Sequence, residues 1–344
     1  MKKKLRVAVL MHEDLVPPDD LSGIEAKEVL RFKTERDVVL GLGRLGHQVI
    51  KIGVWDELAP LRKMLQESKP DIVFNLLEEF HGLAVYDHNV VSYLELMRAA
   101  YTGCNPRGLV LARDKALSKK ILHYHRIRAP RFAVAPLGRS FKRPKRLEFP
   151  MIVKSLIEEA STGISKASVV HADDKLEERV RFIHHNIRTD AIVEEFVAGR
   201  ELYVGVIGNQ RLTVLPVWEL FLENLPADSP RIATRRLKID PEYQKRHEIT
   251  IGKAKGLSQE LQRMIERTCK RIYRLLGLTG YARLDFRLAE DGQLLFLEAN
   301  PNPEIAADEE FAAASEAAGI SYDQMLQRFL RLGMSRAARL SEAP

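Results

Sequence analysis

Short apolar runs alternate with amphipathic stretches over the first hundred residues of the chain. Val7–Met11 is one apolar run, and Gln48–Ile52 and Asp71–Phe74 are two more. The stretch between the last two, Leu58–Glu67, repeats its apolar residues at helical spacing. Strands that alternate with helices are typical of a parallel sheet covered by helices. This part of the chain is therefore predicted to form an α/β domain.

The pattern changes after residue 150 to short strands joined by turns. Residues 219–256 are charged and lack periodicity, which favours a long mobile loop. Asp114 is predicted to cap a helix that buries Leu117 and Ile121. The predicted helices are Lys115–Tyr124, Glu177–Ile187 and Gln259–Leu276; the predicted strands are Met151–Lys154, Ala167–His171, Ala191–Val197, Leu202–Ile207 and Leu212–Trp218, followed by a hairpin over Gly280–Ala299 and a helical C-terminal region.

Length and composition restrict the class of protein. A chain of 344 residues with 45% hydrophobic and 29% charged residues is an ordinary globular chain of two or three domains. Two cysteines exclude a disulfide framework and a cysteine-rich zinc site. The basic N-terminus has no cleavage site, and no apolar run reaches the ~18 residues of a membrane span. We therefore expect a cytoplasmic protein with no membrane partner.

The charge balance favours polyanionic ligands. The formal net charge is +7, and residues 107–146 contain thirteen Lys or Arg against one acid, Asp114. A solvated face and a nucleic-acid surface are both compatible with such a run. A nucleic-acid surface would require interleaved aromatic residues or a known module, and the aromatic residues there, among them Phe132 and Phe141, are few. We expect no nucleic-acid partner, and an enzyme of phosphate-rich substrates suits the same charge.

The predicted hairpin brings acidic residues together. Arg283, Asp285 and Arg287 lie on one face of its first strand because side chains alternate along a strand. A two-residue Asp291–Gly292 turn would place Asp285 opposite Glu298, and the same register pairs Arg283 with Asn300.

Two opposed carboxylates destabilise a strand pair unless a cation lies between them. With the Asn300 amide they form an oxygen-only ligand set that suits Mg²⁺ or Mn²⁺. Alternatively, the acids are solvent-facing, with Arg287 neutralising one of them.

The residues of this hairpin resemble the metal-binding end of ATP-grasp ligases, in particular D-alanine–D-alanine ligases. The resemblance covers Arg283-Leu284-Asp285 and the segment Leu297–Pro303, and it extends upstream over roughly residues 72–302. The further motifs, in family order, are His81-Gly82, Leu94–Met97, Tyr101–Gly103, Asp114-Lys115 with Lys119, Pro150–Lys154 and Val193–Glu201.

The resemblance implies an α/β fold with an N-terminal parallel-sheet domain and a two-part ATP-grasp fold of antiparallel sheets. The implied domains are residues 1–103, 104–197 and 198–344. The implied activity is an ATP-dependent carboxylate–amine ligase that acts through an acyl phosphate, with ATP and Mg²⁺ or Mn²⁺ as cofactors. Its partners would be a small-molecule carboxylate and an amine, and a homodimer is compatible with the family. A D-alanine–D-alanine ligase and a non-catalytic nucleotide- or nucleic-acid-binding protein remain alternatives.

The resemblance also assigns roles to individual residues. Lys119 is more simply interpreted as a solvated lysine. Glu194–Glu195 could alternatively cap an exposed strand end, although acids at the end of a buried strand are common in binding sites. The implied roles are phosphate binding for Lys115, Lys154 and the flap residues Ser161 and Thr162, adenine recognition for Glu194 and the backbone of Glu195 and Val197, ribose recognition for Glu201, metal binding for Asp285, Glu298 and Asn300, γ-phosphate contact for Lys238 and stabilisation of the tetrahedral intermediate for Arg283.

Three departures from the family pattern predict that the product is not D-alanyl-D-alanine. Tyr86 replaces the glutamate that helps to hold the ammonium of the first amino acid, and Ile239 replaces the tyrosine after the loop lysine. Acids stand where a serine would bind the carboxylate of the second substrate. Such acids attract a cationic or amine-bearing acceptor, or they are simply solvated at the start of a helix. They are Glu304, Asp308, Glu309 and Glu310.

Overall fold

The computed structural model describes residues 4–158, 162–222, 224–226, 229–234, 236–237 and 240–342. The N-terminal part contains a parallel three-stranded sheet, as the sequence predicts. Its strands are β1 (Arg6–His12), β2 (Gln48–Val54) and β3 (Ile72–Asn75), in the order β2-β1-β3.

Helices cover this sheet and connect it to the rest of the chain. The apolar side chains of Val38, Phe74 and Phe329 belong to one buried cluster, which joins the sheet to the C-terminal helix. Within the described residues no helix is both long and apolar enough to cross a bilayer. The helices are α1 (Ala26–Val29), α2 (Lys33–Arg44), α3 (Ala59–Ser68), α4 (Asp87–Leu96), α5 (Pro106–Arg113), α6 (Lys115–Tyr124), α7 (Asp173–Phe182), α8 (Pro241–Arg246), α9 (Gln259–Leu275), α10 (Glu310–Ala317) and α11 (Tyr322–Glu342).

A four-stranded antiparallel sheet follows in the chain. Helix α7 packs on it, and its Leu176 and Val180 join the buried cluster beneath β5 and β7. The first strand of this sheet is absent from the sequence prediction, because it is only four residues long and lies within the basic run. The strands are β4 (Phe132–Ala135), β5 (Met151–Ser155), β6 (Val169–Val170) and β7 (Ala191–Glu195), in the order β4-β7-β5-β6.

The third sheet is antiparallel and has six strands. Its interior strand β12, which lies between β8 and β13, is buried along its whole length, so residues on both of its faces contact protein. The strands are β8 (Arg200–Gly208), β9 (Leu212–Val214), β10 (Trp218–Phe221), β11 (Thr250–Lys253), β12 (Tyr281–Leu288) and β13 (Leu294–Asn300), in the order β11-β10-β8-β12-β13 with β9 paired to β8.

The structure corrects the prediction of one long loop over residues 219–256. Strands β10 and β11 pair with each other across this segment, and α8 lies between them. Leu220 and Leu222 are buried. The two strands are short and far apart in the chain, so their pairing leaves no periodic pattern in the sequence. The division into domains at residues 103 and 197 stays a prediction.

Candidate active site

A cleft opens between the four-stranded and six-stranded sheets, and we call it the intersheet cleft. Most of its polar lining comes from the ends of β5, β7, β8, β12 and β13. The lining includes Lys154, Glu194, Glu195, Val197, Glu201, Asp285, Arg287 and Glu298, which the sequence analysis had singled out from separate motifs.

The predicted pairing of the two acids is confirmed, whereas the predicted turn is wrong. Asp285 lies opposite Glu298, and Arg283 lies opposite Asn300. Nearer the turn the register differs by one residue, because the Ala289 N–H donates to the Gln293 carbonyl and leaves a three-residue loop, 290–292. A β-bulge between Asp285 and Phe286 restores the register.

Asp285 is held by the arginine two residues before it. The Nε and Nη2 atoms of Arg283 donate to the two carboxylate oxygens of Asp285 at 2.8 and 2.9 Å. The remaining Nη1 of Arg283 pairs with Glu310. Burial disfavours the charge on Arg283, but the two acids outweigh that effect and raise its pKa. This fork-like pairing fixes the orientation of both side chains.

Arg287 does not neutralise either acid of the hairpin, contrary to the alternative interpretation. Its Nη2 donates to Glu201 at 2.8 Å, and the Tyr203 hydroxyl donates to the other Glu201 oxygen at 2.9 Å. The turn before Glu201 depends on Gly199, whose φ is 139°. A Cβ at Gly199 would lie 2.2 Å from the Leu288 carbonyl oxygen, so this turn requires glycine.

Helix α6 has two lysines on its buried side. Lys115, Lys119 and Leu122 are buried, whereas Leu117 and Ile121 are only half-buried, which corrects the predicted face. Lys115 Nζ donates to the Glu158 carbonyl at 2.6 Å and lies 3.4 Å from a Glu298 oxygen. Lys115, Lys119 and Leu122 are spaced so that they lie on one helix face. This spacing could have indicated that the two lysines are buried.

The prediction that Lys119 is solvated is wrong. Lys119 is fully buried and forms an ion pair with Glu194, which also accepts from Lys154 Nζ at 3.1 Å. Burial alone would raise the pKa of Glu194, but the two lysines outweigh it and lower that pKa. Burial also lowers the pKa of Lys119, whereas for Lys154 the neighbouring acids outweigh burial and raise the pKa. Glu194 is therefore no cap of an exposed strand end.

The chain leaves β7 along the edge of the intersheet cleft. The Glu195 N–H donates to the Arg131 carbonyl at 2.9 Å, and the Glu195 carboxylate accepts from Arg131 Nε at 2.8 Å. Two residues later, the Val197 N–H donates no backbone hydrogen bond to any residue that the structure describes. A backbone donor at this position is available for a ligand.

The two loops predicted to cover the phosphates are only partly described. Ser161, Lys238 and Ile239 lie outside the described residues. Thr162 is half-buried beside Gly163, whose carbonyl accepts a hydrogen bond from Arg179. The second Arg179 contact is to Ser168 Oγ at 2.9 Å. Arg179 thus connects the described end of the flap to the start of β6.

The residues predicted to bind a metal ion fit Mg²⁺ by their chemistry. Asp285 and Glu298 supply carboxylates on one face of the hairpin, and Asn300 supplies an amide oxygen that accepts from the Asn302 N–H at 2.8 Å. Among the described residues no group of three or more His, Cys, Asp or Glu is placed to hold a metal. A set of two carboxylates and an amide suits an ion that shares its coordination with substrate phosphates.

The four acids after β13 are not a uniform cluster. Lys33 pairs with Asp308 and lies 3.3 Å from Glu309, while Glu310 pairs with Arg283. Glu304 accepts a hydrogen bond from the Thr34 hydroxyl. One of the two interpretations of the sequence takes all four acids as attractors of a cation. The structure corrects this view, because cations of the protein already compensate three of them.

The comparison with protein families agrees with this geometry. Residues 121–331, more than half of the chain, match the family model described as the D-ala D-ala ligase C-terminus. The chain therefore belongs to the D-alanine–D-alanine ligase family of ATP-grasp proteins. It is an ATP-dependent carbon–nitrogen ligase, as the sequence motifs predicted.

Individual relatives and solved structures are consistent with the family. A D-alanine–D-alanine ligase of Syntrophotalea carbinolica is 28% identical and covers 90% of this chain and 93% of its own. An uncharacterised protein of Sinorhizobium fredii is 29% identical over 77% of this chain and 75% of its own. The ATP complex of the Bacillus anthracis D-alanine–D-alanine ligase has the same fold, with a TM-score of 0.73 at 19% identity over 98% of this chain and 99% of its own.

Proposed function

We propose that the protein joins an amino-acid or peptide carboxylate to an amine through an acyl phosphate, with a product other than D-alanyl-D-alanine. One observation supports this proposal most directly. Lys154 of β5 lines the intersheet cleft together with the opposed Asp285 and Glu298, and Lys115 of α6 lies 3.4 Å from Glu298. Phosphoryl transfer depends on this kind of positioned positive charge beside a metal-binding carboxylate pair.

The reaction has two steps. An oxygen of the donor carboxylate attacks the γ-phosphorus of ATP, the bond from that phosphorus to the β,γ-bridging oxygen breaks, and ADP leaves. The nitrogen of the amine then attacks the acyl carbon, the bond from that carbon to the phosphate oxygen breaks, and inorganic phosphate leaves. The amine loses one proton to give the amide. The products are ADP, phosphate and an amide.

The proposed phosphate and metal sites use residues at one end of the intersheet cleft. Lys115 and Lys154 would neutralise phosphate oxygens as compact point charges. Asp285, Glu298 and Asn300 would hold Mg²⁺, which supplies further neutralisation of phosphate charge when bound. Arg283 is buried beside Asp285 and would stabilise negative charge that develops on the acyl carbon oxygen. Lys238, Ser161 and Thr162 complete the phosphate contacts in this proposal.

The proposed nucleoside site lies beside the phosphate site, since Lys154 Nζ is 3.1 Å from a Glu194 oxygen. Glu194 would accept from the adenine amino group, with the Glu195 and Val197 backbone at the ring edge. Glu201 would accept from the ribose hydroxyls. Arg287, Lys119 and Lys154 already occupy oxygens of Glu201 and Glu194, so these acids would be held in place before the nucleotide binds. Pre-organisation of this kind lowers the entropy cost of binding.

Residues that differ from the family pattern support an unusual substrate pair. Tyr86 stands in place of the family glutamate and is 40% exposed, so it offers no carboxylate to an ammonium group. Behind it Asp87 forms a buried ion pair with Arg113 and lies 3.4 Å from Asn302 Nδ2. The replacement of the glutamate by Tyr86 and the presence of Glu304 in place of a carboxylate-binding serine favour substrates other than two D-alanines.

A phosphate-release screen tests the proposed function. The purified protein is given MgATP with pairs of amino acids, dipeptides and polyamines, and products are identified by mass spectrometry. We expect phosphate release that requires both a carboxylate and an amine, together with an amide product. Efficient release with D-alanine alone and formation of D-alanyl-D-alanine would contradict the substrate proposal. Release of no phosphate with any pair would contradict the ligase proposal.

A further inference from the structure

A second cavity, of about 450 Å³, lies at the carboxyl ends of β1 and β3, beside the segment that follows β13. Open α/β sheets bind ligands at this end of their strands. Asn302 lines the cavity, and its N–H donates to the Asn300 amide oxygen of the candidate metal set. The cavity therefore borders the candidate metal site.

The lining of this cavity is strongly acidic, and we call it the acidic cavity. Arg31 is the single Lys or Arg among the described residues that line it. Its carboxylates come from four separate segments of the chain, so the charge is a property of the assembled cavity. They are Asp14, Glu35, Glu78, Glu79 and Glu304.

Glu35 differs from the other acids because it is buried. Only 6% of Glu35 is exposed, yet it lines the cavity. It lies on the face of α2 that carries Val38 and Leu42 into the core. None of the described lysines or arginines forms an ion pair with Glu35. A buried carboxylate without a cation is costly, and a cationic ligand would remove that cost.

The two residues that precede Glu35 on α2 make their contacts with other acids. Lys33 is directed to Asp308 and Glu309, and the Thr34 hydroxyl donates to Glu304. His12 Nε2 also lines the region as a buried nitrogen without a hydrogen-bond partner among the described residues, 3.6 Å from a Glu79 oxygen.

We propose, on the basis of the proposed function, that the acidic cavity binds the amine substrate through a second, non-reacting cationic group that pairs with Glu35. The substrate class is a diamine or a basic amino acid whose second cation lies in the cavity while its reacting nitrogen faces the hairpin. Charge complementarity supports this assignment, because the acids would repel a substrate that presents a free carboxylate there. Glu35 is in this account a specificity-determining residue.

Calorimetric titration with two amines of equal length tests the inference. The probes are 1,4-diaminobutane, which has two ammonium groups, and 1-aminobutane, which has one. The wild-type protein should bind the diamine about tenfold more tightly than the monoamine. Glu35→Gln keeps the shape of the side chain and should remove this preference. Glu67→Gln, at an exposed glutamate of α3 outside the cavity, is the matched control and should retain it.

Two results would overturn the inference. One is equal affinity of the wild-type protein for both amines, and the other is an undiminished diamine preference in Glu35→Gln. If Glu35→Gln does not fold, Glu304→Gln at the exposed edge of the cavity replaces it, and an unchanged preference in that variant overturns the inference instead. These titrations contain no ATP. Their failure is therefore distinguishable from failure of the ligase proposal, which is judged by phosphate release.

Discussion

Lys119 and Glu194 form an ion pair in which neither side chain is more than 1% exposed. The pair joins α6 to β7, and Lys154 on β5 contributes the second cation to the same carboxylate. Two lysines and one glutamate leave a net positive charge inside the cleft-facing wall. Such a group is favourable beside a bound polyphosphate, and it is costly to disrupt when no ligand is present.

We predict that Lys119→Met destabilises the fold. The substitution keeps much of the side-chain volume but leaves buried Glu194 with Lys154 alone, which should cost about 3 kcal/mol in the free energy of unfolding. Urea denaturation gives this value. Lys120→Met, at the exposed neighbouring position of α6, should change it by less than about 0.5 kcal/mol. Equal effects of the two substitutions would show that the buried pair contributes nothing of its own.

A second prediction separates the candidate nucleotide site from the basic surface. Lys154→Ala should weaken ATP binding and slow phosphoryl transfer, since it removes a positive charge that lines the cleft. Lys142→Ala, at an exposed lysine of the basic run, should do neither. The measurement is the ATP-dependent rise in melting temperature together with turnover. A comparable loss in both variants would favour a diffuse polyanion surface.

The candidate metal acids should differ in their effect on stability. Glu298→Gln should abolish ATP turnover in millimolar Mg²⁺ with little effect on folding, because the side chain is 31% exposed. Asp285→Asn should abolish turnover and also destabilise the fold, because buried Arg283 loses its bidentate partner. Each activity loss should correspond to several kcal/mol, or roughly 10³-fold. Near-wild-type turnover of either variant would refute the site.

Because Glu35 is buried, we predict that the stability of the protein depends on pH. Burial raises the pKa of Glu35 from 4.5 to about 7, and Glu304 adds to the shift. The folded protein therefore binds this proton more tightly than the unfolded chain does, and wild-type stability falls as the pH rises between these two values. Glu35→Gln removes the effect. Between pH 4 and pH 8 the free energy of unfolding of the variant, relative to that of the wild type, should therefore increase by about 2 to 3 kcal/mol.

Chemical denaturation of both proteins across this pH range gives the difference directly. Glu67→Gln should follow the wild type at every pH, because Glu67 is exposed. A difference between wild type and Glu35→Gln that is independent of pH would mean that Glu35 titrates alike in the folded and unfolded chains.

Much of the fold could be predicted from the sequence because local patterns determine it. The parallel strands β1 to β3 are apolar runs bounded by turns, and α6 has the predicted limits. The β10–β11 pair could not be predicted, since it joins short segments almost thirty residues apart. The bulge beside Asp285 could not be predicted either. The register shift that it causes cancels the shift from the longer turn, so the acids are paired as expected.

The candidate site could be predicted where the type of a residue and its position on a strand together indicate its role. Asp285 and Glu298 fall in a hairpin whose alternation defines one face, so their approach followed from geometry. Lys119 and Glu35 were missed because a charged residue on a helix is normally solvated. Both lie on the same helix face as a buried residue three positions later, which is Leu122 for Lys119 and Val38 for Glu35. The partners that make such burial tolerable come from distant segments, which a local pattern does not reveal.

Oxygen-isotope transfer tests the central claim most directly, namely that the carboxylate substrate is activated as an acyl phosphate. The carboxylate identified in the phosphate-release screen is labelled with ¹⁸O in both oxygens and incubated with MgATP and the amine. The account predicts that inorganic phosphate acquires one ¹⁸O atom per turnover and that the amide carbonyl retains the other. Unlabelled phosphate formed alongside the amide product would contradict it.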